Sequence, residues 1–140
     1  RRQDSSLKGI RAVSNESENV LIHDAARPFV SEKIISDCLT ALEDSDGSAP
    51  IIYAANSLIH LENGKATYVD RTKIKKVQTP QCFRKQLALQ ALNAGVEGTD
   101  EIGIILKSFP DSLLEFVPGS PMNIKITLDL DLHYFSKILS

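Results

Sequence analysis

Asp24 and Arg27 stand where an apolar run stops, in Val-Leu-Ile-His-Asp-Ala-Ala-Arg-Pro at residues 20–28. In an open α/β sheet, ligands collect beyond the carboxyl ends of strands. A carboxylate and a guanidinium on the turn leaving such a strand can hold a metal ion or polarise a phosphate. Ala25 and Ala26, between them, are small enough to let another group approach the backbone. For an isolated pair of this kind, a turn aspartate paired with a nearby arginine is the plainer reading. His23 reads as a hydrogen-bonded core histidine rather than a ligand.

Three further groups could do chemistry. Thr79 and Gln81 flank Pro80, which holds Thr79 toward extended geometry and makes a rigid polar corner of Gln78-Thr79-Pro80-Gln81. The triplet Thr99-Asp100-Glu101 has the composition of a helix start capped by Thr99. A helix N-terminus also seats anions, so that threonine can cap and bind at once. In Asn123-Ile124-Lys125-Ile126-Thr127, period-two alternation predicts a short strand with Asn123, Lys125 and Thr127 on one face. There Lys125 could neutralise a phosphate; a solvated edge-strand lysine is the plainer alternative. Arg71, after Asp70, and the nearby Lys73, Lys75 and Lys76 read as surface charge.

Other chemistries find no support in the sequence. His23, His60 and His133 are scattered, so no zinc-ligand spacing is visible. A net charge of −2 without a basic block argues against a nucleic-acid surface, and no apolar run approaches the ~20 residues of a membrane span. Cys38 and Cys82 lack a CxxC partner and are expected to be free thiols in a reducing cytoplasm. The only methionine is Met122, which suggests a natural start upstream of Arg1.

The elements that must position these groups follow from periodicity. Leu7, Ile10 and Val13 suggest a helical turn, and Val20–His23 a buried strand. Ser31 caps a helix carrying Ile34, Cys38 and Leu42 on one face. The stretch 50–61 reads as extended, Asn63-Gly64 as a hairpin turn, and 66–69 as the returning strand. A hairpin of this length has little core of its own and should pack on something else. Phe83, Leu87, Ala91 and Ala94 predict a helix stopped by Gly95; a second helix follows Thr99. Residues 113–117 predict a strand, and Asp129 opens a last helix carrying Leu132, Phe135, Ile138 and Leu139. Strands alternating with helices argue for one α/β domain with a largely parallel sheet.

Taken in order, RRQDSSLKGI, LIHDAARPFV, VDR, QTPQCF, TDE and NIKIT resemble the C-terminal two-thirds of the polyol-phosphate cytidylyltransferases. The closest likeness is to the enzymes acting on 2-C-methyl-D-erythritol 4-phosphate, with those acting on ribitol 5-phosphate next. The resemblance implies a Rossmann-like nucleotidyltransferase sheet spanning residues 1–140, with a protruding β-arm at about 51–77 that makes a homodimer. It implies Mg²⁺-dependent transfer of CMP from CTP to a polyol phosphate in the cytoplasm, with no nucleic-acid or membrane partner. On that pattern Arg2, Ser5, Asp24 and Ala25 would bind the nucleotide, and Asp24 the metal. Arg27, Arg71, Thr79, Thr99 and Thr127 would bind the acceptor, with Thr79 and a neighbouring subunit's Arg71 on its phosphate. Lys125 would stabilise the crowded phosphorus. The family's glycine-rich loop, L-x-A-G-G-x-G-x-R, belongs upstream of Arg1, so these residues alone are expected not to turn over CTP. Asn56-Ser57 stands where the family carries an acidic-threonine pair, which keeps ribitol 5-phosphate as the alternative acceptor. A non-catalytic dimerisation module is the alternative of another class.

Overall fold

The computed structural model describes residues 2–138; Leu139 lies outside the described residues, as do the side chains of Arg2, Tyr134 and Ile138. Helix α1 (Arg2–Ala12) runs into strand β1 (Asn19–Ile22), and Asp4 and Arg11 sit at the helix ends that favour their charges. Helix α2 (Glu32–Ala41) begins as its sequence dictates: Ser31 is extended and its Oγ accepts the Ile34 N–H. Ile34, Cys38 and Ala41 form its buried stripe.

Strand β2 (Gly47–Tyr53) is buried at its start and exposed at its end. The expected extended stretch 50–61 is broken between β2 and β3 (Leu58–Glu62). Strand β4 (Lys65–Val69) returns antiparallel to β3. Asn63 and Gly64 take φ of 50° and 76°, the left-handed pair that a two-residue hairpin turn demands. These two strands form a sheet of their own. A 3₁₀ turn (Arg71–Lys73) and β5 (Lys75–Val77) lead back to the main sheet.

After Pro80 come β6 (Gln81–Arg84), α3 (Lys85–Asn93), α4 (Glu101–Ser108), β7 (Leu114–Pro118) and α5 (Asp129–Ile138). Phe83 is therefore a strand residue, not part of the helix its spacing predicts. Strand β6 hides from pattern reading because both its faces are covered: Cys82 joins the α2 side and Phe83 the side carrying α1, α3 and α4. The main sheet runs β1-β6-β2-β5, with β7 also on β2. Helices on both faces give three layers, as expected for α/β. The expectation of a largely parallel sheet fails among the described residues, because only β2–β7 is parallel. Strand direction is a non-local property, and the alternation of elements does not encode it.

Residues 123–127 do not form a strand either. Their backbone is satisfied by other means: the Ile126 N–H donates to the Ala26 carbonyl, and the Thr127 and Leu128 N–H groups to the Asp131 carboxylate. Phe135 of α5 is buried and stacks on Phe29 with ring centroids 4.5 Å apart, whereas Leu132 is exposed.

Candidate functional site

At the end of β1 the chain turns tightly, and the Arg27 N–H donates to the Asp24 carbonyl at 2.9 Å. This turn puts both side chains on one side, where Arg27 Nε lies 3.3 Å from Asp24 Oδ2. Lys125 Nζ, arriving from the irregular segment, lies 3.2 Å from the same oxygen. One carboxylate thus faces two cations.

Buried polar groups hold this arrangement. Arg27 Nη1 donates to the Asn123 carbonyl at 2.8 Å, and Asn123 Nδ2 donates to the Thr79 carbonyl at 2.8 Å. Gln78 Nε2 donates to the Ser120 and Asn123 carbonyls. The Asp24 N–H donates to Thr79 Oγ1 at 3.0 Å, and His23 Nδ1 meets the same oxygen at 2.9 Å. His23 Nε2 meets the Arg27 carbonyl at 2.9 Å. The circuit closes through residues 23–27, 79 and 123, so no member can shift without breaking a bond to another. His23 is the hydrogen-bonded histidine expected from its place beside the strand.

A hollow of about 230 Å³ opens beside the Asp24 cluster. Asp24, Arg27, Lys125, Thr79 and Thr99 line it, together with Val77, Gln81 and Asp100. Thr99 lies beside the start of α4 but does not cap it; Asp100 does, its Oδ1 accepting the Gly103 N–H at 2.8 Å. Gln81, fully buried, donates to Asp100 Oδ2 at 2.9 Å and accepts the Ile102 N–H at 3.0 Å. Gln81 belongs to the polar corner the sequence offered for binding, whereas Asp100 is a lining group that sequence reasoning read only as part of a helix start. The Asp-x-x-Gly spacing from Asp100 was the available signal for the cap.

Other expected site residues lie elsewhere. Ser5 lines a separate hollow of about 530 Å³ between α1 and β1, which His23 also borders. Arg2 opens α1, but its side chain lies outside the described residues. Ala25 is exposed on the turn itself. Thr127 is tied to Asp131 at the start of α5 through both its N–H and its hydroxyl. Arg71 donates to the Ala55 carbonyl at the base of the β3–β4 hairpin and borders a different hollow from Asp24. A larger hollow of about 570 Å³ beside β2 and β7 is mainly apolar, with Lys76 the one charged side chain on its wall. It lacks the carboxylate and paired cations that phosphate chemistry needs.

Among the described residues, no group of three histidine, cysteine or carboxylate side chains could hold a metal ion. Mg²⁺, however, is commonly bound by one or two carboxylates with substrate phosphates completing the shell. Asp24 fits that weaker requirement.

Comparison with known proteins converges on one family. Residues 1–140 match the family described as 2-C-methyl-D-erythritol 4-phosphate cytidylyltransferase, IspD. The enzyme of that name from Roseobacter denitrificans is 36% identical over 132 residues, covering 93% of this chain and 59% of its own length. A bifunctional ribulose 5-phosphate reductase/CDP-ribitol pyrophosphorylase from Haemophilus influenzae is 34% identical, covering 98% of this chain and 31% of its own. The chain thus spans well under two thirds of these relatives. The crystal structure of 4-diphosphocytidyl-2C-methyl-D-erythritol synthase from Anaerococcus prevotii superposes with a TM-score of 0.92 at 26% identity, over 99% of this chain and 64% of that one. With that match running the whole length of the sequence, the chain belongs to the IspD family of cytidylyltransferases.

Proposed function

We propose that this chain belongs to an enzyme that transfers CMP from CTP to 2-C-methyl-D-erythritol 4-phosphate, releasing pyrophosphate. The observation that carries the reading is the Asp24 carboxylate facing both Arg27 and Lys125 on the wall of one hollow. In the reaction, an oxygen of the acceptor phosphate attacks the α-phosphorus of CTP. A new P–O bond forms as the bond to the bridging oxygen breaks, and pyrophosphate carries away the electron pair. Such transfers need positioning and charge neutralisation more than covalent help. Lys125 and Arg27 supply positive charge where the crowded phosphorus gathers negative charge. Asp24 holds both cations in place. With the triphosphate oxygens it would also hold Mg²⁺, which neutralises phosphate charge when bound. Thr79 and Thr99 line the acceptor side, and Ser5 and Arg2, on α1, belong to the nucleotide side.

The β3–β4 hairpin supports a homodimer. Cross-strand pairing sets Ile59 opposite Tyr68 and Leu61 opposite Ala66, which makes one face of the hairpin apolar. Ile59, Leu61 and Tyr68 on that face are 58%, 66% and 77% exposed. A second copy is the natural cover for such a face, and it would bring Arg71 at the arm's base toward the partner's acceptor site. Two buried free thiols and, among the described residues, no helix fit to cross a membrane accord with a cytoplasmic enzyme.

CDP-ribitol synthesis is the second reading, favoured by the Haemophilus influenzae relative and by Asn56-Ser57. Pyrophosphate release by the full-length protein, with CTP and each acceptor in turn, separates the two. Preference for 2-C-methyl-D-erythritol 4-phosphate is expected. Inactivity with both acceptors would leave a non-catalytic dimerisation module.

A further inference from the structure

The hollow beside Asp24 offers two opposite kinds of hydrogen-bonding surface. Around Asp24 two cations that can only donate, Arg27 and Lys125, outnumber the one carboxylate they share. The groups at Thr79 and Asp100 differ. The Arg27 carbonyl can only accept, so His23 Nε2 carries a hydrogen, and whenever the ring is neutral Nδ1 is an acceptor. The Thr79 hydroxyl therefore donates to His23 Nδ1 while accepting the Asp24 N–H. Its one hydrogen is spent inside the protein, and what it retains is a lone pair. Asp100 is acceptor-only, with Oδ1 on the Gly103 N–H and Oδ2 on Gln81 Nε2, each oxygen keeping a further lone pair. Gln81 itself is occupied by Asp100 and the Ile102 N–H.

A phosphate oxygen set against Thr79 and Asp100 would meet lone pairs and a negative charge. A polyol hydroxyl would meet acceptors held in place from behind. We infer that Asp100, with Thr79 beside it, binds a hydroxyl of the acceptor substrate, orienting its phosphate toward Arg27 and Lys125. This assignment rests on the proposed cytidylyl transfer, and it gives Thr79 a hydroxyl to read in place of the phosphate contact the resemblance implies. His23 is the positioning residue that commits the Thr79 hydrogen, and Gln81 the one that orients the Asp100 carboxylate.

The test uses full-length protein with CTP and 2-C-methyl-D-erythritol 4-phosphate or ribitol 5-phosphate, and inorganic phosphate as a competing inhibitor. Asp100→Asn keeps a capping side chain but loses the charge. It should raise KM for the acceptor about tenfold, the weight of a hydrogen bond to a charged group, with phosphate inhibition undiminished. Thr79→Val, which leaves the Thr79 carbonyl on Asn123 but takes the acceptor from the Asp24 N–H, should likewise weaken the acceptor more than it weakens phosphate. An unchanged acceptor KM in both Asp100→Asn and Thr79→Val would overturn the assignment while leaving the enzyme reading intact. So would a loss of phosphate inhibition as large as the loss of acceptor affinity. Absence of transfer to either acceptor by the unmodified protein would overturn the enzyme reading itself, and this assignment with it.

Discussion

Lys125 Nζ stands 3.2 Å from Asp24 Oδ2, with 43% of the lysine side chain exposed but only 16% of the aspartate. The carboxylate is the fixed partner and the ammonium the reachable one. Arg27, 13% exposed, approaches the same oxygen from its own turn. Neutralising Asp24 would leave two cations facing each other across a small hollow. Asp24→Asn in the full-length protein is expected to slow pyrophosphate release about 10²–10³-fold, the scale of losing one preorganised charge-stabilising group. Lys125→Met should cost a similar factor in kcat. Wild-type rates in both would remove the site.

The hairpin allows the proposed homodimer to be tested apart from folding. Ile59 and Tyr68 contribute apolar surface to the arm and are not part of the buried core. Ile59→Lys with Tyr68→Lys should leave chain stability within about 0.5 kcal/mol, as for surface changes away from special features, yet shift a dimer to monomer in sedimentation velocity. An unchanged sedimentation coefficient for the dimer would place the contact elsewhere.

Gly119 closes the loop that carries Asn123. A Cβ there would lie 2.5 Å from Gln78 Oε1 and 3.0 Å from the Ile51 carbonyl. Gln78 is buried and occupied by Ser120 and Asn123, so it cannot simply swing aside. Gly119→Ala should destabilise the fold by about 1–3 kcal/mol, as overpacking does, measured by urea unfolding. Turnover should fall with it, because Gln78 shares the Asn123 carbonyl with Arg27.

Asp131 ties the start of α5 to the segment bearing Lys125. Hydrogen bonds from the Thr127 and Leu128 N–H groups hold its carboxyl below the ordinary carboxylate range. A carboxyl depressed on folding contributes stability above its unfolded pKa and loses it as pH falls through the folded value. Amide shifts of Thr127 and Leu128 should therefore titrate together below the normal aspartate range. Asp131→Asn should abolish that transition; its persistence would assign it to another group.

Features set by neighbours in sequence were legible in advance. Ser31 caps α2, Asn63-Gly64 turns the hairpin, and Gly95 ends α3 with φ of 73°. Each depends on a few consecutive residues. Features set by distant partners were not. The 123–127 alternation is genuine, yet no strand lies beside it, and Ala26 and Asp131 take up its amides instead. Thr99 and Asp100 both suit a cap; Gln81, from another element, holds Asp100 in that place. The gathering of Asp24, Arg27, Thr79, Thr99 and Lys125 around one hollow was expected from the order of motifs. Ser5, Arg71 and Thr127 stand apart from it within a single chain.

Cys38 and Cys82 face each other under α2, both without solvent exposure, and the hydrogen bond to Cys82 together with burial pushes the Cys38 thiol up. Sealed from solvent, both are shielded from alkylating reagents while the helix stays down. Maleimide labelling therefore becomes a stopwatch for the lifting of α2: each modified molecule records one moment when that layer came away.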